Sequence, residues 1–278
     1  MIESLRDANQ YLYHYTTLAT AQQYIIKNGT LRLSSYTRTN DPKESKAWEF
    51  SLGSNENRDL FSYSVSEESD QLSKRLKAQT KLICFSMDRG PLTGNHLEDI
   101  FRRGFARPRM WAQYGDRHKG VCLVFDRQRI SNLVDEQIAA NSLVLCGPVS
   151  YVDRPPFYDL YAEQQYMINM NSLEKLGRDE YAKCHAQTHY QKLFFEKMTD
   201  WRDEYEWRWV VFSETEDDLY LNYGQSLVGV VFGADCDPAS SEALVNQVQG
   251  QSLQSIQFMG IRWKNCSPWY DYGNPLYS

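Results

Sequence analysis

Apolar and polar positions along this chain form short runs whose period changes often. Residues 11–15 (YLYHY) read as a strand, and residues 17–28 place Leu18, Ala21, Gln22 and Ile25 near helical spacing. Thr16 or Thr17 is the expected N-cap of that helix, and Gly29 is its stop. A short strand follows at 31–34, then a turn at Thr39-Asn40-Asp41-Pro42 and a short helix at 43–52 carrying Trp48. The polar stretch 53–70 reads as a solvated connector. A helix around 67–79 then leads into a buried strand at 82–86. Residues 88–108 form a long polar loop, followed by a helical turn at 109–115 and a strong strand at 120–125. Beyond it the pattern predicts a helix at 127–139, a strand at 142–151 and helices within 157–199 that break near Gly177. Strands at 207–212, 219–221 and 226–232, a helix at 238–249 and a strand at 254–261 complete the set.

Strands and helices mixed without regular alternation give an α+β class. Its core is a mixed or antiparallel sheet with flanking helices and a helical insertion at 157–199. No shift in composition marks a boundary, so residues 1–278 read as one domain. Thirty Lys and Arg against 36 Asp and Glu leave a net charge of −6, a poor field for bulk nucleic-acid binding. Arg102, Arg103, Arg107 and Arg109 nevertheless form a local basic stretch that offers a place for a phosphate-bearing acceptor. The six cysteines contain no C-x-x-C pair, and Cys84 and Cys122 read as buried thiols. MIESLRDANQ does not have the pattern of a signal peptide, and no apolar run reaches membrane-spanning length. The expectation is a cytoplasmic protein that does not engage a membrane.

Aromatics make up 14% of the chain, and many stand beside groups capable of chemistry. Each such cluster also has a plainer reading. His14, with Thr16 near it, fits a grip on ribose hydroxyls or a packed core histidine. Ser86 ends a strand but has no G-x-S-x-G elbow around it, so it reads as a turn or pocket residue rather than a nucleophile. Trp111, Tyr114, His118 and Lys119 fit an aromatic wall with a cationic rim or a packed turn. In Trp201 to Arg208, a strand starting near Glu206 puts Glu206 and Arg208 on one face and Trp207 and Trp209 on the other. Glu206 or Glu204 is then a candidate acid, base or electrostatic stabiliser, and the plainer reading is an exposed Glu–Arg pair. His185 and His189 are spaced i, i+4, but Ala186 stands where a zincin has its Glu, so no metal is expected.

YHYT (13–16), NDPKES (40–45), CFS (84–86), MWAQYGDRHKGVCLVFD (110–126) and WRDEYEWR (201–208) occur in an order that resembles a bacterial and phage group, the "domain of unknown function 2971" family. That resemblance spans roughly residues 11–235 and departs from the family pattern at Lys43, where an aromatic is usual. The opening YLYHYTTLATAQQYIIKNGTLRLSS is also similar to the start of ADP-ribosyltransferase-like domains. This second resemblance implies an ADP-ribosyltransferase-like architecture and NAD as substrate. His14 and Thr16 would hold ribose, Tyr36 or Tyr114 would stack on nicotinamide, and Ser86 and Trp111 would lie at the pocket. Glu206, or else Glu204, would be catalytic, with nucleic acid, protein or water as acceptor. It also implies a role as an anti-phage defence or toxin effector, with Glu206→Ala removing activity and preserving the fold. Two alternatives stay open: a nucleotide-binding sensor without catalysis, and a metal-dependent hydrolase or nuclease using Asp203, Glu204 and Glu206.

Overall fold

A computed structural model describes residues 7–153, 164–213, 215, 217–251 and 256–271. In chain order the strands are β1 (Tyr11–Thr16), β2 (Thr30–Ser35), β3 (Ser51–Gly53), β4 (Thr80–Met87), β5 (Val121–Asp126), β6 (Leu143–Pro148) and β7 (Ser150–Tyr151). They continue with β8 (Met167–Asn169), β9 (Glu196–Lys197), β10 (Glu206–Phe212), β11 (Leu219–Asn222), β12 (Leu227–Phe232), β13 (Gln257–Lys264) and β14 (Ser267–Tyr270). Ten of them form one sheet in the order β11-β2-β4-β1-β5-β12-β13-β14, with β10 joined to β4 and β6 joined to β10. Within it β12 and β13 run parallel and the other pairs antiparallel. The α+β class with a mixed sheet and flanking helices is therefore the architecture of this protein.

β5 is buried along nearly its whole length, as its unbroken run Val-Cys-Leu-Val-Phe requires of a strand covered on both faces. On one face Leu12, Ile83, Leu123, Phe125, Trp209 and Val230 pack with Ile25, Ile130 and Leu244 from the helical segments at 18–26, 127–139 and 238–249. A second cluster holds Tyr36, Trp48, Leu76, Phe194 and Val210 under the helices Val65–Ala78 and Arg178–Phe194. Thr17 is the first helix's cap, its hydroxyl accepting from the Thr20 N–H at 3.0 Å, and Gly29 ends that helix with φ +66°.

β4 organises the site. Along one edge it pairs with β10 without a break, from Glu206↔Ser86 to Phe212↔Thr80. Its other edge is shared: β2 takes Lys81 and Leu82, and β1 takes Ser86 and Met87. β1 then turns away to follow β5, and β2 follows β11. The strands splay into a V, and Ile83, Cys84 and Phe85 border the opening on an edge that no strand covers.

Several elements differ from the sequence pattern for identifiable reasons. Only Pro42–Ser45 is helical in the predicted helix 43–52. Trp48 and Phe50 instead donate their backbone N–H to Ser73 and Ser69 of the neighbouring helix, at 2.8 and 2.9 Å, which holds the chain extended. The strand predicted at 142–151 breaks after Pro148, where Ser150 turns to bond the Phe195 carbonyl. The predicted insertion at 157–199 contains the helices Met170–Leu176 and Arg178–Phe194, separated at Gly177 with φ +77°, while 157–163 lies outside the described residues. The last predicted strand is displaced to Gln257–Lys264, and β14 is additional; residues 254 and 255 lie outside the described set. No helix among the described residues is long and apolar enough to cross a membrane.

Candidate functional site

A pocket of about 290 Å³ opens in the V between β1 and β2. Tyr13, His14 and Tyr15 form one wall, Arg32, Ser34, Ser35 and Arg38 the opposite one, and Ile83 to Ser86 the back. Asp41, Glu44, Met110, Tyr114, Lys197, Glu204 and Glu206 also line it.

His14 leaves β1 where that strand has parted from β4. Its Nδ1 lies 3.1 Å from the Cys84 carbonyl, which can only accept, so Nδ1 carries the hydrogen and Nε2 keeps its lone pair when the ring is neutral. Burial lowers the His14 pKa, and the carbonyl bond opposes this in part, so neutral imidazole is the form at pH 7. A hydrogen-bond acceptor in a half-buried wall suits a ligand hydroxyl. Cys84 is also half-buried and lines the pocket, unlike the fully buried Cys122. The expectation of two buried thiols thus holds only for Cys122. The Ser86 hydroxyl donates to the Glu204 carbonyl at 2.8 Å, so it braces the turn that carries the glutamates.

Both glutamates reach the pocket. Glu204 ends a 3-10 helix, Tyr205 takes the left-handed conformation with φ 43°, and Glu206 opens β10. A non-glycine residue there is uncommon and costs free energy. The Lys197 ammonium sits between the two carboxylates, 2.8 Å from Glu204 Oε2 and 2.9 Å from Glu206 Oε2. Arg208 grips Glu206 in a fork, Nε to Oε1 at 2.6 Å and Nη2 to Oε2 at 2.8 Å, and its Nη1 meets Glu44 Oε1 at 2.5 Å. The Tyr114 hydroxyl donates to Glu204 Oε1 at 2.7 Å. The shared face of Glu206 and Arg208 follows from strand alternation, but the pair is buried rather than exposed.

These surroundings drive the two carboxyls apart. Burial raises the Glu204 pKa, Glu206 adds to that, and Lys197 and Tyr114 only partly offset it. Burial also pushes Glu206 upward, but Arg208 and Lys197 outweigh it and hold this carboxyl well below the usual range. Glu206 is thus held ionised, and Glu204 is the carboxyl of the two whose proton affinity is raised.

Three of the expected site residues stand elsewhere. Thr16 ends β1 buried opposite Val121, outside the pocket lining. Tyr36 is sealed in the second core cluster, its ring edge-on to Trp48 and Phe194 and its hydroxyl donating to the Leu193 carbonyl at 3.1 Å. No ring face is left for a ligand. Trp111 is fully buried against Tyr15 and donates its indole N–H to the Phe105 carbonyl at 2.7 Å. From the same helix Met110 lines the pocket instead, while His118 turns away to accept from the Trp263 indole at 3.3 Å. The basic stretch 102–109 is divided: Arg109 is exposed and Arg102 partly so, whereas its other two arginines are buried. Arg103 is buried on Asp88, and Arg107 is buried with bonds to the carbonyls of Asp203, Glu204 and Met87. Asp203 faces Arg89 at 2.9 Å, apart from the glutamates, and Lys197 fills the space between Glu204 and Glu206 where a shared metal would lie. The His185 ring bonds the Gln165 carbonyl at 3.0 Å and packs on His189.

Pattern reading passed over Lys197, Arg32 and Arg38. Lys197 follows the helix ending at Phe194 and reads as its polar continuation, so nothing local betrays it. Asp41 and Glu44 had one signal, the Asn-Asp-Pro turn.

Comparison with curated proteins and with solved structures finds no match. A family model does match: residues 110–209, from Met110 in the pocket wall to Trp209 on β10, are similar to the family described as Protein of unknown function (DUF2971), the group whose ordered motifs this sequence resembles.

Proposed function

We propose that the pocket binds the nicotinamide–ribose half of NAD and that the protein is an ADP-ribosyltransferase-like enzyme. The observation that carries this reading is convergence. His14, Ser86, Tyr114, Glu204 and Glu206, from four separate segments, line one pocket at a split in the sheet. Arg32 and Arg38 stand on the wall opposite His14 and suit the pyrophosphate, although both also pair with Asp218. In the reaction, the bond between ribose C1′ and the nicotinamide nitrogen breaks, and its electron pair leaves with neutral nicotinamide. The ionised Glu206 stabilises the positive charge that develops on the sugar. A nucleophile then bonds to C1′, and Glu204, with its raised pKa, is placed to take the proton released. The acceptor would be nucleic acid, protein or water, and a role in phage defence or a toxin system belongs to the same proposal.

A second reading, binding without cleavage, draws support from Glu206 itself, both of whose oxygens are engaged by Arg208 and Lys197. One experiment separates the two. The protein is incubated with NAD, alone and with DNA, RNA or cell extract, and products are read by mass spectrometry. Free nicotinamide, lost in Glu204→Gln and His14→Ala variants that still melt cooperatively, is the expected result. NAD binding by calorimetry with no product would establish the sensor reading, and neither binding nor product would remove both.

A further inference from the structure

Asp41 and Glu44 lie on and beside the short helix Pro42–Ser45, and each is 1% exposed. One oxygen of each is accounted for. Asp41 Oδ1 accepts the Lys43 N–H at 2.9 Å, and Glu44 Oε1 meets Arg208 at 2.5 Å. The other oxygens, Asp41 Oδ2 and Glu44 Oε2, are buried with no hydrogen-bond partner among the described residues, although both side chains line the pocket. Buried acceptors are nearly always satisfied, because an unmade bond leaves the full desolvation cost standing. Two such oxygens in one pocket call for a donor that arrives from outside.

Charge narrows the donor. Asp41, Glu44, Glu204 and Glu206 bring four carboxyl groups to the lining; Lys197 and Arg208 are the cations bonded to this group, while Arg32 and Arg38 on the opposite wall share Asp218. Lys43 and Lys77 lie behind this layer, with their ammonium groups on the main-chain carbonyls of Lys192, Glu196, Lys43 and Glu44. A neutral donor would satisfy the oxygens and leave the negative excess in place; a cationic one answers both.

We infer that Asp41 and Glu44 form a cation subsite that takes a positively charged group bearing N–H donors. A pyridinium carboxamide has that chemistry: its ring carries the charge and its amide the donors. The inference rests on the nucleotide reading for the ligand, and it assigns which end enters first.

The test is calorimetry of the full chain with 1-methylnicotinamide, a cation, and with nicotinamide, its neutral counterpart. The cation is expected to bind about tenfold more tightly, and that preference to fall to roughly threefold or less in Asp41→Asn and Glu44→Gln. If Glu44→Gln loosens the fold through Arg208, Asp41→Asn decides alone, because asparagine keeps the cap to Lys43. Equal affinities, no binding of either compound at millimolar concentration, or a preference that survives Asp41→Asn would overturn the inference. NAD cleavage is scored separately. Cation preference without nicotinamide release removes the transferase reading and keeps the subsite, and release without cation preference does the reverse.

Discussion

Glu206→Ala is expected to cost this protein much of its stability, whatever it does to chemistry. The carboxylate neutralises two buried cations at once, Arg208 at 1% exposure and Lys197 at 6%. In the variant Arg208 keeps Glu44 and Lys197 keeps Glu204, so each cation loses part of its compensation and neither can reach water. Removing one partner from a buried ion pair costs roughly 3–5 kcal/mol, out of a total stability of roughly 5–15 kcal/mol for a folded domain. At about 2–4 °C per kcal/mol for a chain approaching this size, the melting temperature should fall by about 10 °C. The buried pairing thus reverses the expectation from sequence that this variant preserves the fold. The assay is thermal unfolding at pH 7 by circular dichroism, with Arg208→Ala and the double variant completing a cycle. The cycle should show strong non-additivity, because the double variant removes a charge together with its partner. A melting temperature within about 2 °C of wild type would refute the reasoning, since it would mean that water or rearrangement reaches the site easily. The sign with pH follows from the depressed Glu206 pKa. Its contribution is complete above the ordinary glutamate value of 4.5 and is lost as the pH falls through the lower folded value.

Further expectations follow from the same geometry. Burial lowers the His185 pKa to about 4 from 6.5, so the unfolded chain binds the extra proton between those values. Stability should therefore fall by about 3 kcal/mol from pH 6.5 to 4 on account of this residue, and His185→Phe should remove that part of the slope in urea titrations. Tyr114→Phe removes a hydrogen bond to Glu204 that holds its pKa down, so the pH profile of nicotinamide release should move to higher pH; an unmoved profile with activity intact would separate Glu204 from the proton transfer. Tyr36→Phe loses only the bond to the Leu193 carbonyl, about 1 kcal/mol by chemical denaturation, and NAD affinity should stay unchanged; weakened binding would return Tyr36 to the site.

Element type was largely legible from the sequence because hydrophobic period is a local property. The alternation in Tyr11–Thr16, the apolar run of Val121–Asp126 and the Thr17 cap each carry their cause within a few residues. The same alternation put Glu206 and Arg208 on one face, and the ordered motifs pointed to the family later matched over residues 110–209. The site was only half legible. Tyr36 and Trp111 carry the same aromatic signal as Tyr114, and only packing decides which ring keeps an exposed face. Lys197 sits seven residues before Glu204 with nothing local to mark it, yet it becomes the shared counter-ion of both glutamates. The divergence of β1 and β2 from one edge of β4, which opens the pocket, is a matter of strand pairing between segments about 50 or more residues apart. Such pairings, and the pKa values they impose on Glu204 and Glu206, depend on distances and burial that no window of sequence contains. Short-range sterics and hydrophobic period thus determined the elements, and long-range packing of buried charge decided the site.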